Sequence, residues 1–158
     1  MIWEKLRKTK RNKGEQRIML NKTEKYVVIV GCGRLGGHLA NMLGEGKNNS
    51  IVVIDKNEEA FERLNASFSG FTIEANALEI EVLKQAKIAS ADVVVTTTNN
   101  DNVNIMVAQI AKSIFGVNQV IARLTDPSKE KVYSELNIET ISPTELSAIE
   151  FQRIILRN

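Results

Sequence analysis

The sequence predicts an α/β fold, a single domain built on a doubly wound, six-stranded parallel sheet, and three observations predict it. Apolar runs at Tyr26–Val30 and Ile51–Ile54 are continuous rather than alternating, the pattern of parallel strands covered on both faces. Between them lies Gly31-Cys32-Gly33-Arg34-Leu35-Gly36 followed by a helical pattern, and Asp55 closes the second run. Beyond this unit, strand-like and helix-like segments keep alternating, giving six βα units in about 130 residues.

Each element has its own signal. The first helix is predicted from Arg34 to Leu43, with Leu35, Leu39, Met42 and Leu43 on one stripe, and it stops at Gly44-Glu45-Gly46. Asn57 suits the N-cap of a second helix running to Asn65, with Glu58 and Glu59 at its positive end. Phe71–Ala75 reads as the third strand and Leu78–Ala86 as the third helix, with Leu78, Val82, Leu83 and Ala86 inside. Val93–Val95 is the fourth strand, running into Thr96-Thr97-Thr98. A long fourth helix starts at Asp101 or Asn102, turns Val103, Met106, Val107, Ile110, Ala111 and Ile114 inward and ends at Gly116. Val117–Arg123 contains the fifth strand, Pro127–Leu136 a short helix and Ile138–Ile141 the sixth strand. Pro143 then opens the last helix, which runs to Leu156.

The glycine turn in this setting reads as a Rossmann-type phosphate site. Gly31 permits a tight exit from the strand, Gly33 lets backbone approach a pyrophosphate, and Gly36 lets the helix pack on the strand. The free amides at the helix start face an anion. Asp55, 19 residues after Gly36, is placed to accept from both hydroxyls of a ribose and would repel a 2′-phosphate, so NAD or a plain adenine nucleotide is expected over NADP. Lys56 shares that strand end. Ligands of doubly wound sheets sit outside the carboxyl ends of the strands, so Thr97 and Thr98 are expected to border the same crevice. Cys32 is read as a small residue fitted under the phosphate rather than a redox sensor.

Composition narrows the function classes. One cysteine, Cys32, leaves no disulfide within the chain and no cysteine-cluster metal site; one histidine, His38, argues against a histidine triad. No apolar run approaches the ~20 residues that cross a bilayer, and the expectation is a cytoplasmic protein. Residues 1–25 carry nine Lys or Arg against three Glu, and the remaining twelve against sixteen acids leave residues 26–158 mildly acidic. The basic stretch reads as a solvated leader without a DNA-binding module, so no nucleic-acid partner is expected. On the last helix, Leu146, Ile149, Phe151, Ile154, Ile155 and Leu156 cannot all face one sheet, which predicts a subunit contact.

Taken together, the Gly31–Gly36 turn, Val53-Ile54-Asp55, Asn76-Ala77 before Val82-Leu83, Thr98 with Asp101 and Asn104, Ile121-Ala122-Arg123 with Asp126-Pro127, and Ile141-Ser142-Pro143 resemble the N-terminal domain of the RCK proteins, regulators of potassium conductance. That family includes the cytosolic subunits of Trk and Ktr potassium transporters. The resemblance spans roughly residues 25–156 and implies a regulatory subunit rather than an enzyme. Such a subunit binds NAD(H) or an adenine nucleotide (AMP, ADP or ATP) and dimerises partly through its last helix. It assembles as a ring under a membrane-embedded potassium-translocating subunit, peripheral to the inner face of the membrane. By resemblance, Gly31, Gly33, Arg34, Leu35 and Gly36 hold phosphate, Asp55 holds ribose, Asn76 and Ala77 stand beside the adenine, and Thr98 lines the cleft. Arg123 serves the phosphate side or the subunit interface. Where the family often has Gly-Asp-Ala, this chain has Ala75-Asn76-Ala77, an amide in place of a carboxylate. Many relatives continue into a further C-terminal lobe, so the resemblance implies a short form or a partnership with a second RCK-type chain. The competing reading, an NAD-dependent oxidoreductase, lacks a Tyr-x-x-x-Lys pair, and His38 falls inside the first helix. Arg34 is the expected switch, pairing with a terminal phosphate, or with a carboxylate of a neighbouring subunit.

Overall fold

In the computed structural model, which describes residues 24–45 and 48–157, six parallel strands form one sheet in the order β3-β2-β1-β4-β5-β6. All of the basic leader but Glu24 and Lys25, and its reading with it, lies outside the described residues. The strands are β1 Tyr26–Val30, β2 Ser50–Asp55, β3 Phe71–Glu74, β4 Val93–Thr96, β5 Gln119–Arg123 and β6 Glu139–Ile141. They alternate with helices α1 Arg34–Gly44, α2 Ile80–Gln85, α3 Asp101–Gln109, α4 Glu130–Ser134 and α5 Pro143–Ile155. The chain therefore starts in the middle of the sheet and reverses direction beside β1, which places the topological switch point between β1 and β4.

Central strands are buried on both faces, as their unbroken apolar runs require. Val28 and Val30, with Ile54 and Val94, join α2 and α3 in one core layer; Val27, Ile29, Ile51 and Val53 join Cys32 and Ala40 in the other. In register, Val28 pairs with Val52 on one side and with Val94 on the other.

The helices depart from the predicted stripes in a consistent way. On α1 the buried residues are Gly36, Gly37 and Ala40, while Leu35 and Met42 are exposed and Leu39 and Leu43 sit at the margin of the core. On α3 the buried apolar residues are Val107, Ala108 and, just beyond, Ala111, and both Met106 and Ile114 face out. Small residues let both helices lie close to the sheet, which turns the larger side chains toward the flanks. The segment after Asn57 is a 3-10 helix, Glu58–Arg63, shorter than predicted; its one buried residue, Ala60, gives little apolar area to hold a longer α-helix. Residues Asn76–Glu79 form a turn before α2 rather than its first turn. Past Gln109, α3 widens into a π stretch at Ile110–Ile114 before Gly116, at φ +67°, ends it as predicted.

Two buried polar residues on α3 hold the sheet's carboxyl edge. Asn104 is fully buried; its Oδ1 accepts from the Thr98 N–H and hydroxyl, and its Nδ2 donates to the carbonyls of Thr98 and Arg123. Asp101 accepts from the Thr125 N–H at 2.7 Å and the Asp126 N–H at 3.1 Å, with Lys129 Nζ at 3.8 Å. Burial works against the charge of Asp101, but the hydrogen bonds from Thr125 and Asp126 and the nearby Lys129 outweigh it and leave the carboxyl more acidic than usual. Because its folded value is depressed, its stabilising contribution is complete above the unfolded value of about 3.9 and is lost as pH falls through the folded one. Asp101→Asn should therefore cost about 1–3 kcal/mol at pH 7 in urea unfolding, and its difference from wild type should shrink below about pH 4.

Candidate nucleotide site

A crevice of about 640 Å³ opens at the carboxyl ends of β1 to β4, lined by Gly31, Gly33, Asp55, Lys56, Arg63, Asn76 to Leu78 and Thr98 to Asn100 among others. Its size falls in the range of small-molecule sites, about 300–1,000 Å³. The glycine turn forms one wall. Gly31 has φ +99°, a left-handed conformation, and a Cβ there would stand 3.0 Å from the Thr98 nitrogen. A Cβ on Gly36 would overlap the Gly31 carbonyl oxygen and come within 2.5 Å of Thr97 Oγ1, so α1 can begin where it does only with glycine at that position. Gly33 differs: a Cβ there would meet nothing within 4 Å. Its space is open, as a backbone meant for close approach by a ligand requires.

Asp55 occupies the next strand end, half-buried. One carboxylate oxygen accepts from the Cys32 N–H at 2.7 Å and the other from the Asn57 N–H at 3.0 Å. Each oxygen keeps a lone pair for a further donor, so the group can still accept from ribose hydroxyls while it bridges the glycine turn to the loop after β2. Cys32 lies fully buried beneath the turn. Burial pushes its thiol up to about 11, with the Asp55 carboxylate adding to the rise and Arg63 opposing it, and the thiol is neutral near pH 7.

The β4 side of the crevice is held by polar contacts that face inward. The Thr97 hydroxyl is shared between the carbonyls of Val30 and Gly31 at 3.1 and 3.0 Å, which pins the glycine turn from below. Arg123 Nη1 donates to Asn99 Oδ1 at 2.8 Å and to the Thr97 carbonyl at 3.3 Å, clasping the loop that follows β4; its Nε is buried without a partner.

Of the residues singled out in the sequence, the structure brings Gly31, Gly33, Asp55, Lys56, Asn76, Ala77 and Thr98 together around the crevice. Cys32, Gly36 and Thr97 are buried beneath it and support its wall. Arg34 and Leu35 stand exposed on the first turn of α1, outside the lining, and Arg123 acts on the loop rather than on the cavity. Arg63, Asn99 and Asn100 line the crevice and were not foreseen. For Asn100 a signal existed: it is the N-cap of α3, accepting from the Asn102 and Val103 N–H groups, one residue before the predicted start. Arg63 enters only through the course of the 3-10 helix.

Residues 27–143 match the TrkA-N domain family. The chain belongs to that family. Over 131 residues it is 35% identical to the Trk system potassium uptake protein TrkA of Streptomyces coelicolor, which covers 83% of this chain and 58% of that protein. The chain thus spans little more than half the length of this relative. Among solved structures, the TrkA-N domain of the inner membrane protein ybaL from Escherichia coli superposes with a TM-score of 0.72 at 19% identity, covering 84% of this chain and 97% of that one. The Shewanella denitrificans Kef CTD in AMP-bound form gives 0.70 at 18% identity, covering 84% and 82%. GsuK bound to ADP gives 0.70 at 19%, covering 86% and 35%. At these identities the likeness establishes the fold, a Rossmann-like six-stranded parallel sheet, which is the predicted class.

The two glycines behave oppositely in this geometry, which makes a paired test. Gly36→Ala should lower stability by about 1–3 kcal/mol in urea unfolding through overpacking against Gly31 and Thr97. Gly33→Ala should leave stability within about 0.5 kcal/mol yet weaken nucleotide binding roughly tenfold or more, because its methyl fills the space a phosphate would occupy.

Proposed function

We propose that this chain is the nucleotide-sensing part of a regulatory subunit of a Trk-type potassium uptake system, and that it binds NAD(H) or an adenine nucleotide in the crevice between the glycine turn and Asp55. One observation carries this reading. The open backbone at Gly33 and the carboxylate of Asp55 bound the same cavity and are coupled through the Cys32 N–H, so phosphate and ribose meet a single preformed wall. The TrkA-N family and the AMP- and ADP-bound neighbours support the same ligand class.

In this reading the phosphates lie against Gly31 and Gly33, and Asp55 accepts from the ribose hydroxyls. Thr98, Asn99 and Asn100 receive the second half of a dinucleotide or the terminal phosphates, and Arg34 at the turn's rim pairs with added phosphate charge. The crevice lining holds one carboxylate and two cations, with no His, Cys or Tyr among the described lining residues; that set favours holding a ligand over moving protons. The role is regulatory: a nucleotide shifts the assembly only by binding one of its conformations better than another.

Subunit assembly is assigned to α5. Leu146, Ile149, Phe151, Ile154 and Ile155 are all exposed, Phe151 at 67% and Ile155 at 77%, and none of the helix's residues is buried against its own sheet. Apolar area of this kind marks an interface. The partners are copies of this chain or a second RCK-type chain, arranged as a ring beneath a membrane potassium-translocating subunit on the cytoplasmic side. No helix among the described residues is long and apolar enough to cross a membrane itself.

Calorimetry with AMP, ADP, ATP, NAD+ and NADH should give saturable heat for at least one of them. The same ligand should raise the melting temperature by several degrees at 100-fold excess over its dissociation constant. Absence of both heat and melting shift with all five would end the proposal. A Phe151→Ser, Ile155→Ser double variant should elute as a smaller species by light scattering while keeping its nucleotide affinity; an unchanged mass would remove α5 from the interface.

A further inference from the structure

The loop after β4 supplies Thr98, Asn99 and Asn100 to the crevice, and the three are held in different ways. Thr98 and Asn100 are fixed from within their own element. The buried Asn104 amide accepts from the Thr98 N–H and hydroxyl and donates to its carbonyl, and Asn100 caps α3. Asn99 stands between them, exposed, and its side chain meets one partner among the described residues, Arg123 Nη1 at 2.8 Å. A guanidinium only donates, so the Asn99 amide oxygen faces Arg123 and the amide NH2 remains for another acceptor. No other group among the described residues sets the orientation of this amide.

Arg123 is arranged to serve that loop rather than the sheet it closes. Asn104 Nδ2 donates to the Arg123 carbonyl at 3.1 Å and to the Thr98 carbonyl at 2.9 Å, so one buried amide ties the root of the clasp to the loop it holds. The guanidinium makes its contacts through Nη1, which also donates to the Thr97 carbonyl at 3.3 Å, while Nε is buried without a partner. An unpaired buried N–H opposes folding. A side chain placed for stability alone would gain little from this pose.

We infer that Arg123 is a positioning residue that acts through Asn99: it fixes the Asn99 amide on the β4 side of the crevice and so governs recognition of whatever part of a ligand extends past the first phosphate. This rests on the nucleotide reading of the same crevice. AMP carries one phosphate, which the glycine turn takes, and it ends before Asn99. ATP and NADH continue beyond that phosphate. Arg123 therefore discriminates long ligands from short ones without touching either.

The test is a double-mutant cycle of Arg123→Met and Asn99→Ala, with AMP, ATP and NADH titrated by calorimetry into wild type, both single variants and the double. Methionine keeps an unbranched stem and removes every donor. Each single variant should weaken ATP, NADH or both about three- to tenfold and leave AMP within about twofold, and the double should lose no more than the larger single, because both changes remove the same positioned amide. Multiplying losses overturn the route through Asn99. An equal loss for AMP and the long ligands makes Arg123 structural and overturns the inference. If Arg123→Met does not fold, Asn99→Ala decides alone: unchanged affinity for both long ligands overturns it. Wild type that binds AMP but neither long ligand, or a long ligand but not AMP, overturns it and leaves the nucleotide site standing; only failure of AMP, ADP, ATP, NAD+ and NADH together removes the nucleotide reading as well.

Discussion

Where α1 crosses the end of β1, backbone lies almost directly on backbone, and the rest of the site depends on that approach. The Gly36 Cα occupies a place where a side-chain carbon would overlap the Gly31 carbonyl, and Gly31 turns out of the strand at a φ only glycine adopts readily. The consequence is directional. With α1 seated this low, its N-terminal end, whose first amides have no partner within the helix, stands beside the glycine-turn wall of the crevice. Gly37 and Ala40 continue the same close face along the helix.

Around this contact the protein arranges a set of hydrogen bonds that hold the turn from the β4 side and the β2 side. Thr97 supports the Val30 and Gly31 carbonyls from β4, Asp55 takes the Cys32 N–H from β2, and the Gly31 N–H donates to the Ile54 carbonyl at 2.7 Å. The frame extends away from the crevice through buried polar groups. Asn104 and Arg123 fix the loop after β4, Asp101 fixes the loop after β5, and the Leu124 N–H donates to the Ile141 carbonyl one residue before Ser142 caps α5. A continuous bonded path thus joins the crevice to the base of the helix that carries the exposed apolar face. Such a path transmits occupancy only if its members have two arrangements that the ligand distinguishes.

The strands, their parallel class and the glycine turn were legible because they follow from local rules: unbroken apolar runs, glycine where φ is positive, Pro143 at a helix start. Asp55 was legible from its distance to the turn. What escaped depends on packing distance and on competition among polar atoms. The leucine stripe expected on α1 and the Met106 and Ile114 positions on α3 were misjudged because hydrophobicity ranks large residues as inward, whereas a close helix buries Gly36, Ala40, Ala108 and Ala111 instead. Thr97 and Thr98 are neighbours with the same hydroxyl, yet one supports the backbone beneath and the other lines the cavity, a difference set by the alternation of the chain leaving β4.

The central claim is that a nucleotide lies along the wall from the glycine turn to β3, and backbone amide shifts in a 15N-labelled protein titrated with AMP or NAD+ test it most directly. The account predicts the largest changes at Gly31 to Arg34, Asp55 to Asn57 and Asn76 to Leu78, with smaller ones at Thr98 to Asn100. Changes confined to α5 and the loops after β5, with the glycine-turn amides unmoved at saturation, would contradict it.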